Sequence, residues 1–231
     1  MKIAGVQKTT LIDYPNHIAS IIFTQGCNFA CPYCHNSDLI PFKNQDNSYY
    51  SIENILDFLD LQKEFIDGVV ITGGEPTLQQ GLKDFISKIK AKDLKVKLDT
   101  NGCKPKLINQ LIDNQLLDYI AMDVKSSFAN SQEIIGKDGF ESVIRDSIDL
   151  IKNSNINYEF RTTVVPTLHD KKEIKKIAKL VEGAKYHYLQ NFKAKNTLDS
   201  KLMDAQGFPP AKLKEFKEIL LDYVEKVYIR N

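Results

Sequence analysis

The chain has 231 residues, a length that suits one domain with a substantial buried core. Its 31 basic and 30 acidic side chains nearly cancel, which argues against a nucleic-acid-binding or membrane-surface protein. No apolar run approaches the roughly 20 residues of a membrane span, and the N-terminus lacks the apolar stretch of a signal peptide. We therefore expect a soluble, cytoplasmic protein.

Strand and helix patterns alternate along the chain. Short apolar runs typical of buried parallel strands are followed by amphipathic stretches with apolar residues three and four positions apart. The predicted strands are residues 18–24, 68–72, 95–99, 118–124, 157–165 and 186–190. The last helix is predicted from about residue 210 to residue 224, and residues 41–50 are predicted to form a polar surface loop.

Six strand–helix units in series predict a parallel sheet with right-handed crossovers, in a single domain over residues 1–231. Six units are too few for a closed eight-stranded barrel. The expected fold is therefore an α/β, partial, open-sided (β/α)6 barrel with parallel strands. Such folds place ligand sites at the carboxyl ends of the strands, so the side chains that follow each strand are the first candidates for a functional site.

Three of the four cysteines, Cys27, Cys31 and Cys34, follow the first predicted strand. This crowded spacing is a poor disulfide pattern and is more typical of metal binding or catalysis. Three thiolates can hold three irons of a [4Fe–4S] cluster and leave the fourth iron without a protein ligand. Structural zinc is the alternative, but it prefers four ligands, and His35 is poorly placed to be the fourth. Cys103 is interpreted as an inert core residue, with a fourth ligand or a reactive thiol as alternatives.

Glycine and polar residues follow the later strands in the same way. Residues 73–76, Gly-Gly-Glu-Pro, follow the second strand, and residues 99–102 follow the third. Paired glycines let a ligand approach the backbone closely, although both stretches are also typical of tight turns. Asp123 and Lys125 share one side of their strand and are suited to a zwitterionic ligand, with a solvated ion pair as the alternative.

These residues resemble the radical S-adenosylmethionine superfamily. The Cys27–Cys31–Cys34 spacing, with Tyr33 just before the last cysteine, is similar to its cluster motif, and residues 73–76 are similar to its motif for the methionine amino group. Residues 5–15 and 34–36 resemble the anaerobic ribonucleoside-triphosphate reductase activating proteins of the longer type, in the glycyl-radical-enzyme activating branch. The resemblance covers nearly the whole chain.

The resemblance implies one [4Fe–4S] cluster on Cys27, Cys31 and Cys34, whose unique iron chelates S-adenosylmethionine. A flavodoxin or ferredoxin would reduce the cluster, and a 5′-deoxyadenosyl radical would take a hydrogen atom from a glycine Cα of a partner glycyl radical enzyme. Anaerobic ribonucleotide reductase is the first candidate partner, and pyruvate formate-lyase is the second. The cofactor-binding residues implied in this way are Tyr33, Gly73, Gly74, Glu75, Asp99, Asn101, Asp123, Lys125 and Arg161.

The same resemblance is compatible with a monovalent cation near Asp99, Thr100 and Asp123. The family resemblance gives no role to His169, which is interpreted as an exposed residue at a helix start. The polar loops at residues 126–139 and 193–209 are the predicted partner contacts, because they follow the fourth and sixth strands.

Two other classes of protein remain open. A small-molecule radical lyase similar to 7-carboxy-7-deazaguanine synthase would share the cluster and Gly-Gly-Glu-Pro motifs, although residues 10–15 and 35–36 argue against it. A non-enzymatic interaction module would contain zinc and neither iron nor sulfide.

Overall fold

The computed structural model describes residues 1–42 and 49–231, so the middle of the loop predicted at residues 41–50 lies outside the described residues. Eight strands in the described ranges form one sheet, in sequence order from β1 to β8. They are β1 (Ile3–Thr10), β2 (Ala19–Thr24), β3 (Gly68–Gly73), β4 (Lys95–Thr100), β5 (Tyr119–Asp123), β6 (Asn157–Val164), β7 (Tyr186–Asn191) and β8 (Lys226–Arg230). β1 pairs with β2 in the antiparallel direction, and all pairs from β2 to β8 are parallel.

Helices connect the parallel strands. Those in the described residues are α1 (Ile52–Gln62), α2 (Leu82–Lys90), α3 (Pro105–Asp113), α4 (Ser131–Ile135), α5 (Glu141–Asn153), α6 (Lys171–Leu180) and α7 (Pro210–Leu221). Ser51 and Asp170 begin α1 and α6, because each side chain accepts a hydrogen bond from a backbone amide of the first turn. Over these same residues, no helix has the length and apolar character needed to cross a bilayer.

The expected open, parallel α/β sheet is confirmed, and the six predicted strands correspond to β2–β7. The count of six strands is too low, because the sequence reading missed β1 and β8. Both lie at the edges of the sheet. Within the described residues they do not pair with each other, so the sheet does not close into a barrel.

The two faces of the sheet differ in polarity. Ile71, Leu98 and Phe160 belong to the face that packs with the helices, and all three are fully buried. Side chains alternate along a strand, so the neighbouring positions lie on the opposite face. We call that side the polar face; it carries Lys97, Asp99, Tyr119, Asp123, Glu159, Arg161 and Tyr188. The edge strand β8 is tied to it by Arg230, which donates to both oxygens of the buried Glu159 at 2.7 and 2.8 Å.

A buried histidine on β7 should make the fold sensitive to acid. Thr162 Oγ1 donates to the Val124 carbonyl, so His187 Nε2–H donates to Thr162 Oγ1 at 3.0 Å. His187 Nδ1 has no partner among the described residues. Burial lowers the pKa of His187 to about 3. The unfolded chain, with a histidine pKa of about 6.5, then binds a proton that the folded chain does not.

We therefore expect the free energy of unfolding to fall as the pH decreases below about 6.5, with this histidine contributing up to ~1.4 kcal/mol per pH unit. His187→Met should remove that contribution, so the difference in stability between wild type and variant should change between pH 7 and pH 5. Urea unfolding at the two pH values measures it. A difference independent of pH would contradict the assignment.

Candidate functional site

One cavity lies at the carboxyl ends of the parallel strands and is lined by the residues that the sequence predicts to bind a metal or cofactor. It is lined by Cys27, Cys31, Tyr33, Cys34, Gly73, Gly74, Glu75, Asp99, Asn101, Asp123, Lys125 and Arg161. These are all of the predicted metal- and cofactor-binding residues. The structure thus brings them together around one cavity, and their individual binding roles stay predictions.

The cysteine loop, defined as residues 25–37, presents three thiols to this cavity. The Phe29 amide donates to Cys27 Sγ at 3.4 Å. Burial raises the pKa of Cys27 to about 12 and that of Cys31 to about 11, so a bound metal would have to displace the thiol protons. Each thiolate of a cubic cluster binds a different iron and need not converge on one point. In the described part of the chain, no three His, Cys, Asp or Glu side chains converge on a single metal ion. Three cysteine thiols that face one cavity are the donor set that such a cluster needs.

The loops after β5 and β7 hold the cysteine loop from two sides. The contacts are Ala30 N–H to Ile135 O (2.9 Å), Asp199 N–H to Pro32 O (2.9 Å), Ser37 Oγ–H to Asn196 O (3.0 Å) and His35 Nε2–H to Lys193 O (2.6 Å). The His35 ring also stacks on Phe192, with 5.9 Å between ring centroids. The loops predicted to contact a partner therefore lie directly against the cysteine loop, while the partner contact itself stays a prediction.

Gly73 and Gly74 let the end of β3 approach the cysteine loop. A Cβ on Gly73, which has φ +115°, would lie 2.4 Å from the Thr24 nitrogen, and a Cβ on Gly74 would lie 2.2 Å from the Gly26 oxygen. The Gly74 amide donates to Thr24 O at 2.8 Å, and the next amide donates to Gly26 O at 2.8 Å. Glycine is thus required here by backbone packing alone, whatever ligand the turn also contacts.

The Glu75 carboxylate is buried and bonded within the protein. Its Oε1 accepts from the Thr77 amide (3.0 Å), the Thr77 hydroxyl (2.5 Å) and the Thr100 hydroxyl (2.7 Å). Its Oε2 accepts from the Asn101 amide at 2.7 Å. Burial raises the pKa of Glu75, and these hydrogen bonds oppose that rise. Glu75 therefore joins the turn after β3 to the end of β4.

Asn101 extends this network to the cysteine loop. Its Nδ2 donates to Asn28 Oδ1 at 2.9 Å, and its Oδ1 accepts from the Cys103 amide at 3.0 Å. Cys103 is buried, with its Sγ 3.7 Å from the Thr77 hydroxyl. Its side chain does not line the cavity formed by the described residues, which agrees with a core position.

Five charged side chains form a continuous row on the polar face, which we call the ionic chain. Its contacts are Lys97 Nζ–Asp99 Oδ1 (2.6 Å), Asp99 Oδ2–Arg161 Nη1 (3.0 Å), Arg161 Nε–Asp123 Oδ1 (2.8 Å) and Asp123 Oδ2–Lys125 Nζ (2.9 Å). Burial acts to raise the pKa of both aspartates, but the guanidinium and the two ammonium groups hold it below the ordinary value. Both carboxylates are therefore ionised at neutral pH.

The prediction that His169 is exposed is wrong, since only 2% of it is accessible. The Val165 amide donates to its Nδ1 at 3.2 Å, and its Nε2–H donates to Lys125 O at 3.0 Å. Burial lowers the pKa of His169, so the ring is neutral. It supports the backbone of Lys125 and meets the ring of Tyr33 edge-on at 6.3 Å. The Tyr33 hydroxyl is buried and has no hydrogen-bond partner among the described residues.

Sequence reasoning did not assign Phe29, Ile40 and Gln190, which also line the cavity. Gln190 lies at the end of β7 and could have been found by the strand-end rule. Phe29 and Ile40 carry no comparable signal, because their position depends on how the cysteine loop folds.

A sequence model described as the radical SAM superfamily matches residues 21–181, the part of the chain that contains the cysteine loop and strands β3–β6. The chain therefore belongs to the radical S-adenosylmethionine superfamily. A Methanocaldococcus jannaschii protein provisionally named a glycyl-radical enzyme activating enzyme is 38% identical, over 99% of this chain and 95% of its own. A pyruvate formate-lyase-activating enzyme of Clostridium pasteurianum is 28% identical, over 97% of this chain and 98% of its own. Within the superfamily, the chain belongs to the glycyl-radical enzyme activating enzymes.

Solved structures agree on the fold. Streptococcus suis SuiB bound to S-adenosylmethionine has a TM-score of 0.70 at 12% identity, over 91% of this chain and 50% of that chain. Coproporphyrinogen III oxidase of Escherichia coli, described as a radical SAM enzyme, has a TM-score of 0.57 at 15% identity, over 91% of this chain and 54% of that chain. This chain spans about half the length of both proteins.

Proposed function

We propose that this protein generates the glycyl radical of a partner enzyme, with anaerobic ribonucleotide reductase as the first candidate and pyruvate formate-lyase as the second. The proposal takes residues 1–231 as one catalytic unit, acting in the cytoplasm and reduced by a flavodoxin or ferredoxin. It is supported by the convergence of the cysteine loop, the Gly73-Gly74 turn and the ionic chain on one cavity. The 38% identical relative, which matches over nearly its full length, supports the class of reaction.

Cys27, Cys31 and Cys34 would hold a [4Fe–4S] cluster, at which reductive cleavage of S-adenosylmethionine supplies a radical able to take a hydrogen atom from a glycine Cα. Lys125 has ammonium protons beyond the one donated to Asp123, so it would bind a carboxylate of the ligand. The unpartnered hydroxyl and the ring of Tyr33 would contact the nucleoside. The Glu75 and Asn101 network would keep these groups in place.

A glycine on a macromolecule must be able to reach the cavity. The unjoined edges β1 and β8 leave the described sheet open, and loops 126–139 and 193–209 lie beside the cysteine loop. A partner that contacts these loops would therefore bring its polypeptide close to the reacting centre. Exchanging both loops for those of a relative should change partner preference, and an unchanged preference would contradict this part of the proposal.

Electron paramagnetic resonance on anaerobically reconstituted, reduced protein tests the function. We expect a reduced [4Fe–4S] signal that changes when S-adenosylmethionine is added. Addition of anaerobic ribonucleotide reductase should then produce a glycine-centred doublet. A doublet that forms only with pyruvate formate-lyase would instead make that enzyme the partner. Conversion of a deazapurine precursor without any doublet would favour the small-molecule lyase. About one zinc per chain, without iron or sulfide, would overturn the proposal.

A further inference from the structure

The charges of the ionic chain do not sum to zero. Asp99 and Asp123 contribute two negative charges, and Lys97, Arg161 and Lys125 contribute three positive charges, so the sum is +1. The side chains are largely buried, from 2% accessible for Lys97 to 25% for Asp123. A buried surplus charge is costly unless it is compensated. One carboxylate of a zwitterionic ligand would bring the sum to zero.

The oxygens that would be expected to bind a monovalent cation already take part in hydrogen bonds or ion pairs. All four carboxylate oxygens of Asp99 and Asp123 accept from cationic nitrogens at 2.6–3.0 Å. The Thr100 hydroxyl donates to Glu75 Oε1 at 2.7 Å and accepts from the Gly102 amide at 3.1 Å. An added cation would also raise the local charge from +1 to +2, against the repulsion of three fixed cations.

Within the ionic chain, the ammonium group of Lys97 is placed to take the role of a bound monovalent cation. It lies on β4 two residues before Asp99, so both side chains project from the same face of the strand. Its ammonium group is almost completely buried between Asp99 Oδ1 and the ring of Tyr119, whose centroid is 5.9 Å away. Without Lys97, Asp99 Oδ1 would have no cationic partner and could accept a small cation. With a bound carboxylate the ionic chain would then sum to −1, a charge that this cation would neutralise.

We propose that Lys97 is a built-in counter-ion in place of a bound monovalent cation, so that this protein binds S-adenosylmethionine without K⁺ or Na⁺. Lys97 is a positioning residue in this scheme: it acts through Asp99 and Arg161 on the pair of Asp123 and Lys125. The inference rests on the proposed function, because it assumes that the cavity binds this ligand.

Binding of S-adenosylmethionine to the cluster-loaded protein tests the proposal. Titration calorimetry is done at constant ionic strength in potassium, sodium or tetramethylammonium chloride, the last cation being too large for a buried site. We expect wild type to have the same dissociation constant in all three salts. Lys97→Met should bind about tenfold or more weakly in tetramethylammonium chloride, because a buried ion pair has lost one partner. Potassium or sodium should restore its binding.

Two variants control for charge and for size. Lys95→Met makes the same change in net charge on the same strand, at an exposed lysine whose Nζ contacts His17, and should leave binding unchanged in every salt. Lys97→Arg keeps the fixed cation and should bind equally in the three salts. Wild-type binding that requires potassium or sodium would overturn the proposal, and so would Lys97→Met binding that is equal in all salts.

Thermal unfolding without S-adenosylmethionine separates this inference from the proposed function. Potassium or sodium should raise the melting temperature of Lys97→Met, since Asp99 Oδ1 has lost its partner, and should not raise that of wild type. A protein that binds no S-adenosylmethionine in any salt would reject the proposed function. The melting experiment would still decide on Lys97, because an equal effect of the cations on both proteins would contradict its role.

Discussion

Cys34→Ala is expected to abolish cluster assembly, whereas Cys103→Ala is expected to leave it intact. Cys34 lines the cavity together with Cys27 and Cys31, and two remaining thiolates would be too few to retain the cluster. Cys103 is buried against the Thr77 hydroxyl and is held there by its own amide bond to Asn101. Iron and sulfide are measured per chain after anaerobic reconstitution, and iron should fall from about four per chain to near zero only in Cys34→Ala.

The two variants are a matched pair, because each removes one thiol that is not exposed. Loss of the cluster in Cys103→Ala, with the fold intact by circular dichroism, would mean that Cys103 is a ligand. Full iron and sulfide in Cys34→Ala would mean that the cysteine loop holds the cluster in a different way.

Arg161→Met is expected to destabilise the fold by about 3 kcal/mol at pH 7, as is typical when a buried ion pair loses one partner. The guanidinium of Arg161 joins Asp99 to Asp123 and is 11% accessible. Its loss leaves two largely buried carboxylates facing each other without a shared cation. Urea unfolding measures the change. Arg145→Met is the control, because Arg145 is 50% accessible, forms an exposed ion pair with Glu141 and lies 5.4 Å from the centroid of the Phe128 ring, so its effect should be within ~1 kcal/mol.

The dependence on pH gives a second test of the same contacts. The pKa of Asp99 and Asp123 is lowered in the folded protein, so their contribution to stability is present above pH ~4 and is lost as the pH falls below the unfolded-state value. Because Arg161 lowers both pKa values, Arg161→Met should raise them relative to wild type. The stability difference between the two proteins should therefore shrink on acidification from pH 7 to pH 3. A constant difference would show that Arg161 stabilises through packing alone.

The central strands could be predicted from the sequence because each is a short apolar run next to a helical pattern. The edge strands could not. β1 contains Gln7 and Lys8 and is exposed at these positions, so it has no apolar run to detect. β8 has only five residues, with exposed Lys226 and Tyr228 alternating with apolar ones, and the contact of Arg230 with Glu159 on β6 is tertiary, so the local sequence does not show it.

The candidate site was predictable for a topological reason. Parallel strands bring their carboxyl ends together, so cysteine, glycine and acidic residues at separate strand ends had to meet. This reasoning does not predict that Lys97 and His169 are buried. Lys97 alternates with apolar residues in β4 and resembles a solvent-facing position, and His169 precedes a polar helix start. Their burial depends on Asp99, Tyr33 and the Lys125 carbonyl, which the fold brings to them.

Hydrogen bonds connect the cysteine loop to the segments after β5 and β7, so three parts of the chain that are distant in sequence are held together. A change in either segment is therefore transmitted through these bonds to the residues around the thiols. If those segments form the recognition surface, as proposed, binding of a partner would act on the position of the cysteine loop. Recognition and the chemistry at the thiols would then share one set of contacts.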